Sequence, residues 1–138
     1  MKLQSTTIKS DYDTNTGLSK VTILTDIGSF DGYASLHPDD KDIESNFAGC
    51  RYAEMRANIK YMKMKKKIFE AQLKSLKSVY NQTRNKKALK VLEKEIYLIE
   101  DNKETISLYI KSLSDKLTDM MNSRPDVIRF IKKDNKTE

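Results

Sequence analysis

Two sets of positions spaced three and four apart run through residues 48–120. The first is Ala48, Tyr52, Met55, Ile59, Met62, Lys66, Phe69, Leu73, Leu76 and Tyr80. The second is Leu89, Leu92, Ile96, Ile99, Lys103, Ile106, Ile110, Leu113, Leu117 and Met120. Each is apolar except for one lysine. This spacing, held over about four heptads, predicts coiled-coil packing. It predicts helices over about 45–80 and 86–123, separated by the break Asn81-Gln82-Thr83-Arg84-Asn85. So short a break makes an antiparallel hairpin the natural pairing.

The period changes in the first 37 residues. Val21 and Ile23, continued by Thr25 and Ile27, alternate with polar residues, as in strands. Asp13-Thr14-Asn15-Thr16-Gly17 and Gly28-Ser29 carry turn chemistry. A third strand follows, with Phe30, Tyr33, Ala34 and Leu36 as packing residues. His37-Pro38-Asp39-Asp40 then turns the chain toward helix. Proline suits a first helical turn, and Asp39, Asp40, Asp42 and Glu44 suit the positive end of a helix dipole. Pro125 opens a short helix over about 125–133, with Val127, Phe130 and Ile131 on one face. The expected fold is mostly α, of α+β class. An antiparallel β-meander (1–37) precedes a helical region (38–138) made of the long hairpin and the short C-terminal helix.

Lys66 and Lys103 interrupt the two seams at nearly equal distances from the break, 18 and 19 residues from Arg84. Three readings fit. The stems pack while the ammonium groups reach the edge, the layer forbids slipped pairings, or the pair meets an anionic ligand.

The first helix carries a second apolar line, Ala53, Ala57, Tyr61, Met64, Ile68 and Ala71, facing away from its seam. The second helix has no comparable line, and Leu98, Leu108 and Tyr109 are scattered along it. The second line calls for cover by the meander or by a second copy of the chain in a homodimer. Ala57, Tyr61, Met64, Ile68 and Ala71 are the candidate interface residues.

Charge sharpens this picture. Residues 1–50 hold 4 basic and 8 acidic side chains, residues 51–90 hold 13 and 2, and residues 91–138 hold 9 and 10. The net charge of +6 therefore belongs to one segment, which draws anionic partners or acidic neighbours. Its cations are ordered. Arg56, Lys60, Lys63, Lys67, Lys74 and Lys77 fall on a single flank, interrupted by Glu70. One reading is a binding surface for phosphates or for an acidic protein. The other is pairing across the hairpin. Lys74 and Lys77 would meet Glu93 and Glu95, and Lys63 and Lys67 would meet Glu100 or Glu104. Arg56 and Lys60 face Ser107, Lys111 and Ser114 and gain no countercharge there.

Catalytic chemistry is sparse. There is no Gly-rich phosphate loop, no cysteine pair for zinc and no His-Glu-x-x-His. His37 is the only histidine, and its aspartate neighbours are explained by the helix start. Cys50 is the only cysteine, and it reads as a small packing residue beside Gly49. No nucleophile, base and orienting group assemble, so neither an enzyme nor a cofactor is expected. No apolar run approaches the roughly 20 residues that cross a bilayer. Residues 1–7 lack the apolar stretch of a secretory signal. The expected location is the cytoplasm, where the sequons at Asn81 and Asn135 carry no meaning.

The stretch Gly28-Ser29-Phe30-Asp31-Gly32-Tyr33-Ala34-Ser35-Leu36-His37-Pro38-Asp39-Asp40, followed by Gly49-Cys50-Arg51-Tyr52-Ala53-Glu54-Met55-Arg56-Ala57, resembles small accessory proteins of phages and prophages of Gram-positive bacteria. The resemblance covers about residues 18–70. It implies a protein of the bacterial host cytoplasm that acts on host machinery by binding and occlusion, in the manner of an anti-CRISPR inhibitor. It carries over no catalytic residues. Three functions follow as expectations: a non-enzymatic binder of a host protein or protein–nucleic-acid complex, a direct DNA- or RNA-binding protein, and a coiled-coil scaffold without ligand.

Overall fold

The structure, a computed structural model, describes residues 3–36, 43–123 and 128–129. Strands β1 (Ser5–Asp13), β2 (Leu18–Thr25) and β3 (Gly28–Leu36) precede helices α1 (Ile43–Gln82) and α2 (Lys86–Ser123), and β4 (Ile128–Arg129) follows. One antiparallel sheet holds the strands in the order β1-β2-β3-β4. The chain forms two compact units. One is Met62–Lys111, and the other combines Lys2–Tyr61 with Ser112–Glu138. Helix α1 contributes to both.

In the sheet unit, local chemistry makes the turns. The Asp13 carboxylate accepts from the Asn15 N–H at 2.8 Å, and the Gly17 N–H reaches the Asp13 carbonyl at 2.8 Å. Gly17 takes a left-handed φ of 74°, which glycine adopts without steric cost. The second turn is Asp26-Ile27, so Gly28 already opens β3. Thr25 closes that turn, accepting from the Ile27 N–H at 3.2 Å and donating to the Gly28 carbonyl at 2.6 Å. Along β2 the period of two separates the faces, and Ser19, Val21 and Ile23 are buried.

The buried face of the sheet meets the first part of α1. Gly32 lies directly on the helix backbone: a Cβ there would come within 1.8 Å of the Ala53 carbonyl oxygen and 2.6 Å of the Ala57 nitrogen. Alanine on one side and glycine on the other thus set the approach. Gly49 and Ser19 repeat the arrangement, since a Cβ on Gly49 would stand 2.5 Å from Ser19 Oγ. Tyr61 closes the contact. Its ring is fully buried, 5.9 Å from that of Phe30, and its hydroxyl donates to Asp26 at 2.5 Å and accepts from the Gln4 N–H at 3.2 Å. The sheet therefore covers the second apolar line of α1 at Ala53, Ala57 and Tyr61.

The hairpin unit shows both seams at work. Their positions within it, Met62 to Tyr80 and Leu89 to Ile110, are all buried or half-buried. Asn85 caps α2, accepting from the Lys87 N–H at 2.9 Å and the Ala88 N–H at 3.3 Å. Tyr80 donates to Glu93 across the loop at 2.9 Å. Lys103 is 3.8 Å from Glu70, one turn beyond Lys66, so the polar layer holds a countercharge. Lys77 pairs with Glu100 at 3.8 Å rather than with Glu93 or Glu95. Acid and base therefore meet further from the loop than the spacing alone suggests.

The short helix expected over 125–133 is corrected where the chain is described. Ile128 and Arg129 form β4, opposite Leu36 and Ser35 of β3. The edge of β3 offers unpaired backbone groups, which outweigh the helix signal of Pro125 and suit a β-branched residue. Pro125, Val127, Phe130 and Ile131 lie outside the described residues, as do His37, Pro38, Asp39, Asp40 and Asp42.

Candidate partner-binding surface

The six cations of the basic flank have different fates. In the sheet unit, Arg56 and Lys60 are half-buried. The Lys60 ammonium donates to the Asp31 carbonyl at 2.8 Å and stands 5.7 Å from the centre of the Tyr33 ring. Lys60 was expected to lack an internal partner. The sheet supplies one, because β3 runs against α1 at Gly32, next to Asp31 in sequence.

The same cluster continues on β2. Lys20 lies 5.7 Å from the centre of the Tyr33 ring and 4.0 Å from the Asp31 carboxylate. Thr22 donates to that carboxylate at 2.5 Å. Sequence reasoning did not single out Lys20, Thr22 or Asp31, and read Tyr33 only as a packing residue. The cross-strand register that faces Lys20 to Tyr33 and Thr22 to Asp31 brings them together. The alternation in β2 was the signal for their shared face.

In the hairpin unit, Lys63, Lys67, Lys74 and Lys77 are exposed. Lys77 is paired with Glu100, and Glu70, which divides the line, is paired with Lys103. Lys63, Lys67 and Lys74 have no hydrogen-bond or ion-pair partner among the described residues. They span about 17 Å of helix at 1.5 Å per residue. A rigid helix thus presents three hydrated ammonium groups in a row, a geometry that matches a line of phosphates or carboxylates.

The other candidate set divides as well. Ala57 and Tyr61 are buried against the sheet, while Met64 is 36% exposed, Ala71 is exposed and Ile68 is half-buried. In the hairpin unit, Ile68, Ala71, Ser75 and Leu76 of α1 face Glu95 and Ile99 of α2 across an open groove of about 550 Å³. Lysine line and groove occupy opposite flanks of the hairpin.

The chain matches no protein family, no curated protein and no solved structure. Its chemistry has to be read from its own residues. Among the described residues, no three His, Cys, Asp or Glu side chains come together as a metal site, and no helix is long and apolar enough to cross a membrane. Cys50 is a half-buried cysteine in no disulfide, in the part of α1 that belongs to the sheet unit.

Proposed function

We propose that this protein is a non-enzymatic interaction protein whose docking element is the exposed lysine line Lys63, Lys67 and Lys74 of α1. The partner is an anionic surface of a host protein or protein–nucleic-acid complex. One observation carries the reading: three cations lie in a row without a hydrogen-bond or ion-pair partner among the described residues, on a helix whose neighbouring flank cations Lys60 and Lys77 are engaged by Asp31 and Glu100. The resemblance to phage accessory proteins extends the proposal to inhibition of a host defence complex by occlusion. A lysine line supplies rate and specificity of encounter through its field, and needs no catalytic group.

The test compares the wild type with the triple variant Lys63→Glu, Lys67→Glu, Lys74→Glu as bait in a bacterial lysate. The expected result is a partner retained by the wild type at about 50 mM salt, weakened at about 300 mM, and absent from the triple variant at both. Equal capture by a triple variant with unchanged helix content would discard the lysine line. Salt-dependent binding of a bare duplex or single strand by the purified protein would favour direct nucleic-acid binding instead.

A further inference from the structure

The closed end of the hairpin holds positive charge that nothing in the fold answers. Residues 78–92 contain Arg84, Lys86, Lys87 and Lys90 and no acid. All four are exposed, and none has a side-chain hydrogen-bond or ion-pair partner among the described residues. The nearest acids are engaged, Glu93 by Tyr80 and Glu70 by Lys103. Two of the lysines also stand against the helix dipole. The start of a helix favours acids, yet α2 has none in its first turn and carries Lys86 and Lys87 there. Asn85 caps that turn without supplying charge. Cations held where the hairpin itself disfavours them mark a surface kept for a partner.

We propose that this tip docks on a nucleic-acid duplex, with Arg84, Lys86, Lys87 and Lys90 on phosphates and Asn81 and Gln82 on sugars or base edges. None of these residues belongs to the line Lys63, Lys67 and Lys74, so the inference stands apart from the function proposed above. Charge selects a polyanion. Lys86 and Lys90 lie about 6 Å apart along α2, close to two phosphate steps of about 3.4 Å along one strand.

The apex decides among polyanions. Residues 81–87 hold no apolar side chain, and a tip that enters a bilayer surface needs one. Residues 81–92 hold no aromatic ring, the platform on which unpaired bases stack. A duplex calls for neither. Asn81 and Gln82 are exposed, with no side-chain partner among the described residues. Each amide sets a donor beside an acceptor, the combination that base edges and sugars meet. Carboxylates only accept, so an acidic protein surface would leave the amide oxygens idle.

Fluorescence anisotropy of labelled duplexes of about 20 base pairs, two helical turns, tests the inference on the full chain. DNA and RNA duplexes of one sequence are compared, and binding of either supports it. Four phosphate contacts predict an affinity that falls about a hundredfold between about 50 and 200 mM salt. The combined variant Arg84→Ala, Lys86→Ala, Lys87→Ala, Lys90→Ala is expected to lose this binding with its helix content intact. The combined variant Lys63→Ala, Lys67→Ala, Lys74→Ala is expected to keep the same salt dependence. Lys86→Glu with Lys87→Glu is expected to abolish binding while raising the melting temperature of the free protein, because acids then meet the helix dipole. A melting temperature that falls instead makes the two lysines structural and overturns the inference. Absence of duplex binding at about 50 mM salt, where phosphate contacts are strong, also overturns it. So does duplex binding that the four-alanine tip variant retains, or tighter binding of a single strand than of either duplex. Tip-dependent capture by vesicles of phosphatidylserine and phosphatidylcholine, in preference to duplex, replaces the nucleic acid with a membrane surface. Duplex binding lost only with Lys63, Lys67 and Lys74 overturns the tip and assigns the nucleic acid to that line.

Discussion

The Lys60 ammonium donates a 2.8 Å hydrogen bond to the backbone carbonyl of Asp31. Lys60 belongs to α1 and Asp31 to β3, and the two are 29 residues apart in sequence. The bond matters because, among the described residues, β4 pairs with β3 only at Ser35 and Leu36 and no strand covers the rest of that edge. A lysine is one of the standard means of blunting an open strand edge. Lys60 thus leaves the docking line and serves the sheet.

Lys60→Met keeps the stem and removes the donor. It is expected to lower unfolding stability by about 1 kcal/mol, the net worth of one hydrogen bond. It should also increase association at millimolar concentration, as the β3 edge loses its guard. Urea denaturation and light scattering measure the two effects. A variant equal to wild type in both would show that the bond contributes nothing.

Gly32→Ala tests the contact between sheet and helix. A Cβ at 1.8 Å from the Ala53 carbonyl oxygen cannot be accommodated without moving β3 from α1. The expected loss is at the upper end of the roughly 1–3 kcal/mol range for overpacking, or beyond it. Gly28→Ala is the comparison, since nothing lies within 4 Å of a Cβ there and only its φ of 130° is at issue. Thermal denaturation should rank Gly32→Ala well below Gly28→Ala.

Ser19→Ala should be neutral or stabilising. Ser19 Oγ is fully buried and has no hydrogen-bond partner among the described residues. A buried unmet hydroxyl costs about 1–3 kcal/mol, and alanine removes it without adding volume near Gly49. A loss of stability would mean that the hydroxyl is satisfied in solution.

Tyr80 and Glu93 make an alkaline prediction. The Glu93 carboxylate accepts the Tyr80 hydroxyl and repels the phenolate, which holds the Tyr80 pKa above its ordinary value of 10.0. A pKa raised on folding contributes stability that is complete below the unfolded value and disappears as pH rises through the folded one. The stability difference between wild type and Tyr80→Phe should therefore be flat up to about pH 9 and shrink above pH 10. Chemical denaturation over pH 7–11 follows it. A difference that grows with pH would invert the assignment.

Much of the architecture was legible in the chain. The 3–4 series through Leu73 and Ile106 marked the hairpin faces, and the helices begin and end within about two residues of expectation, the usual uncertainty of helix ends. Asn85 was read only as part of a break, although an asparagine directly before a periodic run is an N-cap signal. The lysine line was visible as spacing, but which lysines stay free was not. Lys60 and Lys77 are removed from it by Asp31 and Glu100, and both contacts depend on how distant segments align. The β4 strand was missed because two residues carry too little pattern to outweigh Pro125. An open edge on β3 decides the matter, and an edge exists only once a sheet is formed.

The sequence by itself determined the periods: two for the strands, 3.5 to 3.6 for the helices, and a basic line along one helical flank. Periodicity is local, so it is written in the order of residues. Tertiary structure alone decided pairing. It set Gly32 on the backbone of Ala53, brought Lys60 to Asp31, aligned Glu70 with Lys103, and recruited Ile128 to the sheet. These contacts turn on a few ångströms of register between segments far apart in the chain. That register comes from close packing of whole surfaces and not from the residues on either side.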